Sequence, residues 1–115
     1  MVPLLMRKTP GRVVIVFTTV PRRSDAVKMS EALVKKGLSA CATVLPGIRS
    51  FYKWEGKMVH GQEVLVIFKT TSRRYMALEK AIKALHPYEV PEILALGVIR
   101  GYLPYLGWVT GEVGD

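Results

Sequence analysis

Cysteine and side-chain amides are scarce in this chain of 115 residues, which contains one cysteine, one glutamine and no asparagine. A single cysteine cannot form an internal disulfide bond, a Cys-x-x-Cys metal clip or a tetrathiolate zinc site. The fold must therefore be held by its own core, for which 50% apolar residues suffice. A reducing compartment, the cytoplasm, is the expected location.

Long hydrophobic runs are also missing, since no uninterrupted apolar run is longer than the five residues found at 64–68. A bilayer span needs about 20 such residues, so we expect no membrane partner. The first residues carry their charges after a short apolar stretch, which is the reverse of a secretory signal peptide. We predict a basic flexible tail over 1–11 and a single domain over 12–115.

Charge is unbalanced, with 17 Lys and Arg against 9 Asp and Glu and a net charge of +8. The basic residues occur as singles and pairs without a run of five, a distribution typical of a solvated surface. An RNA-recognition module would also need stacking aromatics on its third strand, where this chain has Val, Leu, Val, Ile and Phe at 64–68. We therefore expect no nucleic-acid partner.

Hydrophobic periodicity predicts six main elements and a short C-terminal helix. Ser24 and Ser72 are candidate N-caps for the two longer helices, and the Pro after His86 should end the second one. The predicted elements are a strand over 12–19, a helix over 24–36, a strand over 40–54 interrupted by a bend or bulge at 46–47, a strand over 58–70, a helix over 72–86, a strand over 93–99, and one or two helical turns over 102–108.

This order is that of an α+β, ferredoxin-like βαββαβ sandwich, in which two helices cover one face of a four-stranded antiparallel sheet. The hairpin between the second and third strands is longer than the ~5–6 residues of a typical strand and should protrude. It would expose Phe51, Tyr52 and Trp54 to water. Because proteins cover such edges, we predict a homo-oligomer.

Proteins with this fold have several unrelated functions, so the function must be inferred from the residues of the site. An acylphosphatase-type hydrolase needs an asparagine to orient water, and a metal chaperone of this shape needs two thiolates after the first strand. The chain supplies neither set. We therefore predict neither enzymatic activity nor an organic cofactor.

The residues that remain each allow two interpretations. Cys41 is a small apolar strand residue or, if symmetry brings copies together, a soft metal ligand. His86 is a hydrogen-bonded helix-end residue or part of a site. Lys69 and Glu92 could face each other across neighbouring strands as an ion pair of little energetic weight. Packing or an interface is a better explanation than ligand binding for the aromatic residues Tyr52, Trp54, Tyr88, Tyr105 and Trp108.

Seven short motifs together resemble the signature of the CutA divalent-cation tolerance family across 13–109. The resemblance implies a homotrimer built like the PII signalling proteins, with long hairpins pairing between subunits. It also implies a role in tolerance of divalent metals, copper above all, without an established reaction. The motifs are Ala40-Cys41, Pro46-Gly47, Ser50-x-Tyr52-x-Trp54-x-Gly56, Glu63, Lys69-Thr70, His86-Pro87-Tyr88-x-x-Pro91-Glu92-Ile93 and Tyr105-Leu106-x-Trp108.

The resemblance also implies roles for single residues. The chain departs from it at Thr43, where many relatives have Asn, and at Thr18, where some have a second cysteine. Two functions stay open: a trimer that binds copper or another divalent ion, or a PII-like signalling module that binds a small ligand in clefts between subunits. The implied metal ligands are Cys41, His86 and Glu92, and the implied cleft residues are Lys69, Tyr88, Tyr52 and Trp54.

Overall fold

A computed structural model describes residues 12–114, so the tail expected over 1–11 lies outside the described residues. The sheet is antiparallel with the strand order β2-β3-β1-β4, which confirms the ferredoxin-like prediction. None of the helices in this part of the chain has both the length and the apolarity to cross a bilayer. The elements are β1 (Val13–Val20), α1 (Arg23–Lys35), β2 (Cys41–Trp54), β3 (Lys57–Thr71), α2 (Ser72–Leu85), β4 (Leu94–Gly97) and α3 (Leu103–Glu112).

The main core lies between the sheet and the helices α1 and α2. Alternate residues of β1 and β3 point to the same side because side chains alternate along a strand, and these residues meet one apolar stripe from each helix. A second cluster joins α3 to the start of β1 through Val13 and Val109. The buried residues of the main core include Val14, Val16, Val20, Met29, Leu33, Val64, Val66, Phe68, Leu78 and Ile82.

The β2-β3 hairpin protrudes, as its length predicted. The described chain measures 56 × 25 × 22 Å with a radius of gyration of 15.6 Å, whereas a compact chain of this size has about 13 Å. Its turn places Glu55 and Gly56 at φ of 51° and 80°. The predicted bend is a bulge between Leu45 and Ile48, where Gly47 has a φ of 78°.

The helix starts differ from the prediction by one or two residues. Arg22, not Ser24, is the N-cap of α1, and it makes no capping side-chain bond. For α2 the cap is Thr71, whose hydroxyl accepts a hydrogen bond from the Arg74 amide at 3.4 Å. Thr71 can take this role because its backbone is still extended, whereas Ser72 is already helical.

The C-terminal elements also differ from the prediction. The last strand is shorter than predicted and spans Leu94–Gly97. The helix α3 is longer than predicted, with ten residues from Leu103 to Glu112. Pro104 fits its first turn, where the N–H that proline lacks would have no partner within the helix. The proposed Lys69 and Glu92 pairing across neighbouring strands is wrong. The strand β4 pairs with β1 and not with β3, so the two side chains are not cross-strand neighbours.

Candidate functional site

Cys41 opens β2 and lies in a cluster with Lys69 and Tyr105. Register places Cys41 directly opposite Lys69 of β3, whose Nζ lies 3.6 Å from Sγ. The Tyr105 hydroxyl, delivered by α3, lies 3.8 Å from the same sulfur. The thiol is partly exposed on an outer strand of the sheet. A polarisable sulfur is therefore held between an ammonium group and a phenol at the surface.

The backbone under this cluster is tied together by Ser39. Its buried Oγ lies 2.6 Å from the carbonyl oxygen of Cys41 and 2.9 Å from that of Lys69, and it accepts the Lys69 amide proton at 3.1 Å. Burial, followed by the Cys41 contact, raises the pKa of Tyr105, so its phenol stays protonated. Ser39 was not predicted, because its partner at position 69 is distant in sequence. Tyr105 was predicted to serve packing or an interface, not to contact the cysteine.

His86 is buried just beyond the end of α2 and links that helix to β1. Its Nε2 lies 2.8 Å from the Thr19 carbonyl oxygen, and its Nδ1 accepts the Tyr88 amide proton at 3.1 Å. A carbonyl can only accept, so Nε2 carries the proton and the ring is neutral. Burial lowers the pKa of His86 and favours this state. Both nitrogens are engaged, so metal ligation would require one of these bonds to break.

A cavity of about 640 Å³ lies between one face of the β2-β3 hairpin and the loop that leads to β4. The hairpin contributes Tyr52, Trp54 and Glu63, and the loop contributes Tyr88 and Glu92. The Tyr88 hydroxyl donates a 2.7 Å hydrogen bond to Glu63 Oε2. Burial, reinforced by that carboxylate, raises the pKa of Tyr88. We call this space the hairpin cavity.

The predicted site residues thus fall into separate groups. Four of them, Tyr52, Trp54, Tyr88 and Glu92, line the hairpin cavity, and the structure brings two distant sequence motifs together there. Cys41 and Lys69 form the other cluster. Across residues 12–114 no three His, Cys, Asp or Glu side chains are grouped so that they could hold a metal ion. The metal set predicted from the sequence does not form one site within a single chain.

Register explains the separation. Lys69 pairs with Ile15 of β1, whereas His86 bonds to Thr19 of the same strand. Four residues of strand correspond to roughly 13 Å. Ligands shared between chains stay a prediction.

The fold and these two groups define a ferredoxin-like domain with a long protruding hairpin, a cysteine at an open sheet edge and an acidic, aromatic cavity. Comparison with known proteins assigns that class to a family. The model described as CutA1 divalent ion tolerance protein matches residues 14–112. The chain belongs to this family.

Individual relatives agree with the assignment. The divalent-cation tolerance protein CutA of Thermus thermophilus is 42% identical over 100 residues, which cover 87% of this chain and 97% of that protein. Protein CutA of Homo sapiens is 43% identical over 109 residues, which cover 92% of this chain but only 61% of the human protein. The crystal structure of CutA from Xylella fastidiosa superposes with a TM-score of 0.87 at 38% identity, covering 89% of this chain and 98% of that one.

Proposed function

We propose that the protein is a homotrimer that binds divalent metal ions, with copper favoured, and acts in metal tolerance. The observation that carries this proposal is the Cys41 thiol, which is partly exposed on an outer strand, where a second chain can approach it. The family supplies the link to divalent cations. A cytoplasmic location and the absence of catalysis are further parts of the proposal.

Two open edges of the sheet support the assembly. The outer strands β2 and β4 each have one side without a partner strand among residues 12–114. On and beside β4, Leu94, Leu96 and Ile99 are 58%, 56% and 92% exposed. Apolar side chains along an open edge favour pairing with another copy. Since the two edges differ, they can pair head to tail and close into a ring, and three subunits is the number that the family resemblance implies.

Copper preference follows from the ligand chemistry. Thiolate is the softest ligand in the chain. Among the first-row divalent ions, copper is the one that a given set of nitrogen and sulfur ligands binds most tightly. One thiolate holds a metal weakly, so ligands from a neighbouring chain must complete the site. Lys69 now lies against the sulfur, and its flexible side chain must turn away when a cation binds.

Light scattering and equilibrium dialysis test the two parts separately. Light scattering should give three times the 12.8 kDa chain mass, and a monomer would refute the assembly. Dialysis against copper should load the parent protein, whereas Cys41→Ser should lose at least tenfold in affinity. Thr43→Ser, an exposed change two residues along the same strand, is the matched control and should bind like the parent. Equal binding by all three proteins would refute the thiolate site.

The small-ligand module is the second candidate, and the hairpin cavity favours it. Its volume lies in the ~300–1,000 Å³ range of small-molecule sites, and a few polar groups converge on aromatic walls. Ligand retention by a Cys41→Ser protein that no longer binds copper would support this function independently of the metal proposal.

A further inference from the structure

The hairpin cavity has a charge opposite to that of the whole protein. The chain carries a net charge of +8, yet three of its nine acidic residues, Glu63, Glu89 and Glu92, line this one cavity. No lysine or arginine is among the described residues that line it. A concave space with walls of low polarity concentrates the field of such charges. These carboxylates favour a cation over an anion in the cavity.

Aromatic rings form much of the remaining wall. Tyr52 and Trp54 come from one face of the hairpin, and Tyr88 comes from the loop opposite. Aromatic faces attract ammonium groups, with tryptophan the strongest, by about 0.5–2 kcal/mol per contact. Tyr88 is also fixed in place, because its hydroxyl donates to Glu63 at 2.7 Å. Part of the wall is thus organised before any ligand enters.

The arrangement suits an organic cation better than a bare metal ion. A divalent ion needs several oxygen ligands converging at about 2.0–2.6 Å. The part of the chain that the structure describes contains no group of three His, Cys, Asp or Glu placed for that. About 640 Å³ is also far larger than a metal ion requires. Carboxylates spread around aromatic walls instead fit a molecule with an apolar body and a charged nitrogen.

We propose that the hairpin cavity binds a small organic cation, an ammonium-bearing molecule with an apolar body. The cation lies on the Trp54 and Tyr52 rings and is neutralised by the Glu89 and Glu92 carboxylates. This inference rests on the second candidate function, the small-ligand module, and names the class of its ligand. Cys41 is not among the residues that line the cavity, so the site does not depend on the proposed metal function.

Binding of benzyltrimethylammonium tests the proposal, measured by calorimetry and by the NMR shifts of the two tryptophan indole N–H groups in the protein as purified. We expect saturable binding that moves the Trp54 signal and leaves that of Trp108, on α3, in place. Neutral benzyl alcohol should bind at least tenfold more weakly, and anionic phenylacetate should not bind. Equal affinity for the three probes would overturn the charge argument.

Matched variants locate the site. Glu92→Gln should weaken cation binding about fivefold or more, whereas Glu55→Gln, the same change of charge at the hairpin turn outside the cavity lining, should leave it unchanged. Trp54→Leu should abolish binding, and Trp108→Leu should not. Cys41→Ser should bind the probe like the parent, which separates this site from the metal proposal. The site would be refuted if the probe showed no saturable binding, which is also the result expected if a second copy of the chain fills the cavity. Equal losses of affinity in Glu92→Gln and Glu55→Gln would refute it as well.

Discussion

Replacing Thr18 by valine should stabilise the protein. Thr18 lies on β1 between the core residues Val16 and Val20 and is 0% exposed. Its Oγ1 is buried and has no hydrogen-bond partner among the described residues. A buried polar group without a partner costs about 1–3 kcal/mol, and valine removes that cost at nearly the same volume. We expect the free energy of unfolding to rise by about 1–2 kcal/mol per chain. Each kcal/mol should raise Tm by roughly 4–8 °C.

Thr70 provides a matched control of opposite sign. It is also 0% exposed, but its Oγ1 donates a 2.8 Å hydrogen bond to the Leu38 carbonyl oxygen. Thr70→Val removes that bond and deprives the partly buried Leu38 carbonyl oxygen of this donor, so it should lose about 1–2 kcal/mol. The same substitution at equal burial should therefore raise stability at one position and lower it at the other.

Denaturant unfolding at one fixed protein concentration measures both effects, since the apparent stability of an oligomer depends on concentration. The denaturant midpoint should rise for Thr18→Val and fall for Thr70→Val, with unchanged slopes. Shifts of the same sign for both variants would refute the reasoning, because hydrogen-bond satisfaction would then not be what distinguishes the two hydroxyls.

Two further predictions concern pH and the hairpin turn. Because burial lowers the pKa of His86, the unfolded chain binds its proton first as pH falls below about 6.5, so stability should be complete above that pH and decline below it. Thermal unfolding should show this decline in the parent and in His60→Gln, whose exposed ring is the control, but not in His86→Gln; a decline that survives in His86→Gln would contradict the assignment. Gly56→Ala forces a side chain into a φ of 80° and should cost about 1 kcal/mol. Gly61→Ala, where a Cβ meets nothing within 4 Å, should cost less, and equal losses in chemical denaturation would contradict the strain argument.

Periodicity predicted the strands and the two long helices because their apolar spacing reflects how they pack. The C-terminal helix was underestimated because Pro104, Gly107 and Gly111 lower its intrinsic propensity. Its ten residues are stabilised by burial of Leu106 and Val109 against other elements, which local sequence does not show.

The sequence predicted most of the residues of the candidate site, but it did not predict which of them lie close together in the structure. Counting back from the turn, where Trp54 pairs with Lys57, would place Cys41 opposite Thr70. The bulge at Pro46-Gly47 adds one residue to β2 and shifts the pairing, so that Lys69 meets the cysteine instead. A one-residue shift also exchanges the two faces of the strand. The sequence predicted a bend or a bulge here without deciding between them, so the pairing of Cys41 with Lys69 followed only from the structure.

Native mass spectrometry of the copper-loaded protein tests the central claim most directly, because it reports assembly and bound metal on the same particle. We predict that the parent protein appears as a trimer carrying copper. Cys41→Ser should appear as a trimer without copper, and Thr43→Ser should match the parent. A parent trimer that carries no copper, or a Cys41→Ser trimer that carries as much as the parent, would contradict the claim that this chain binds metal through its single thiol.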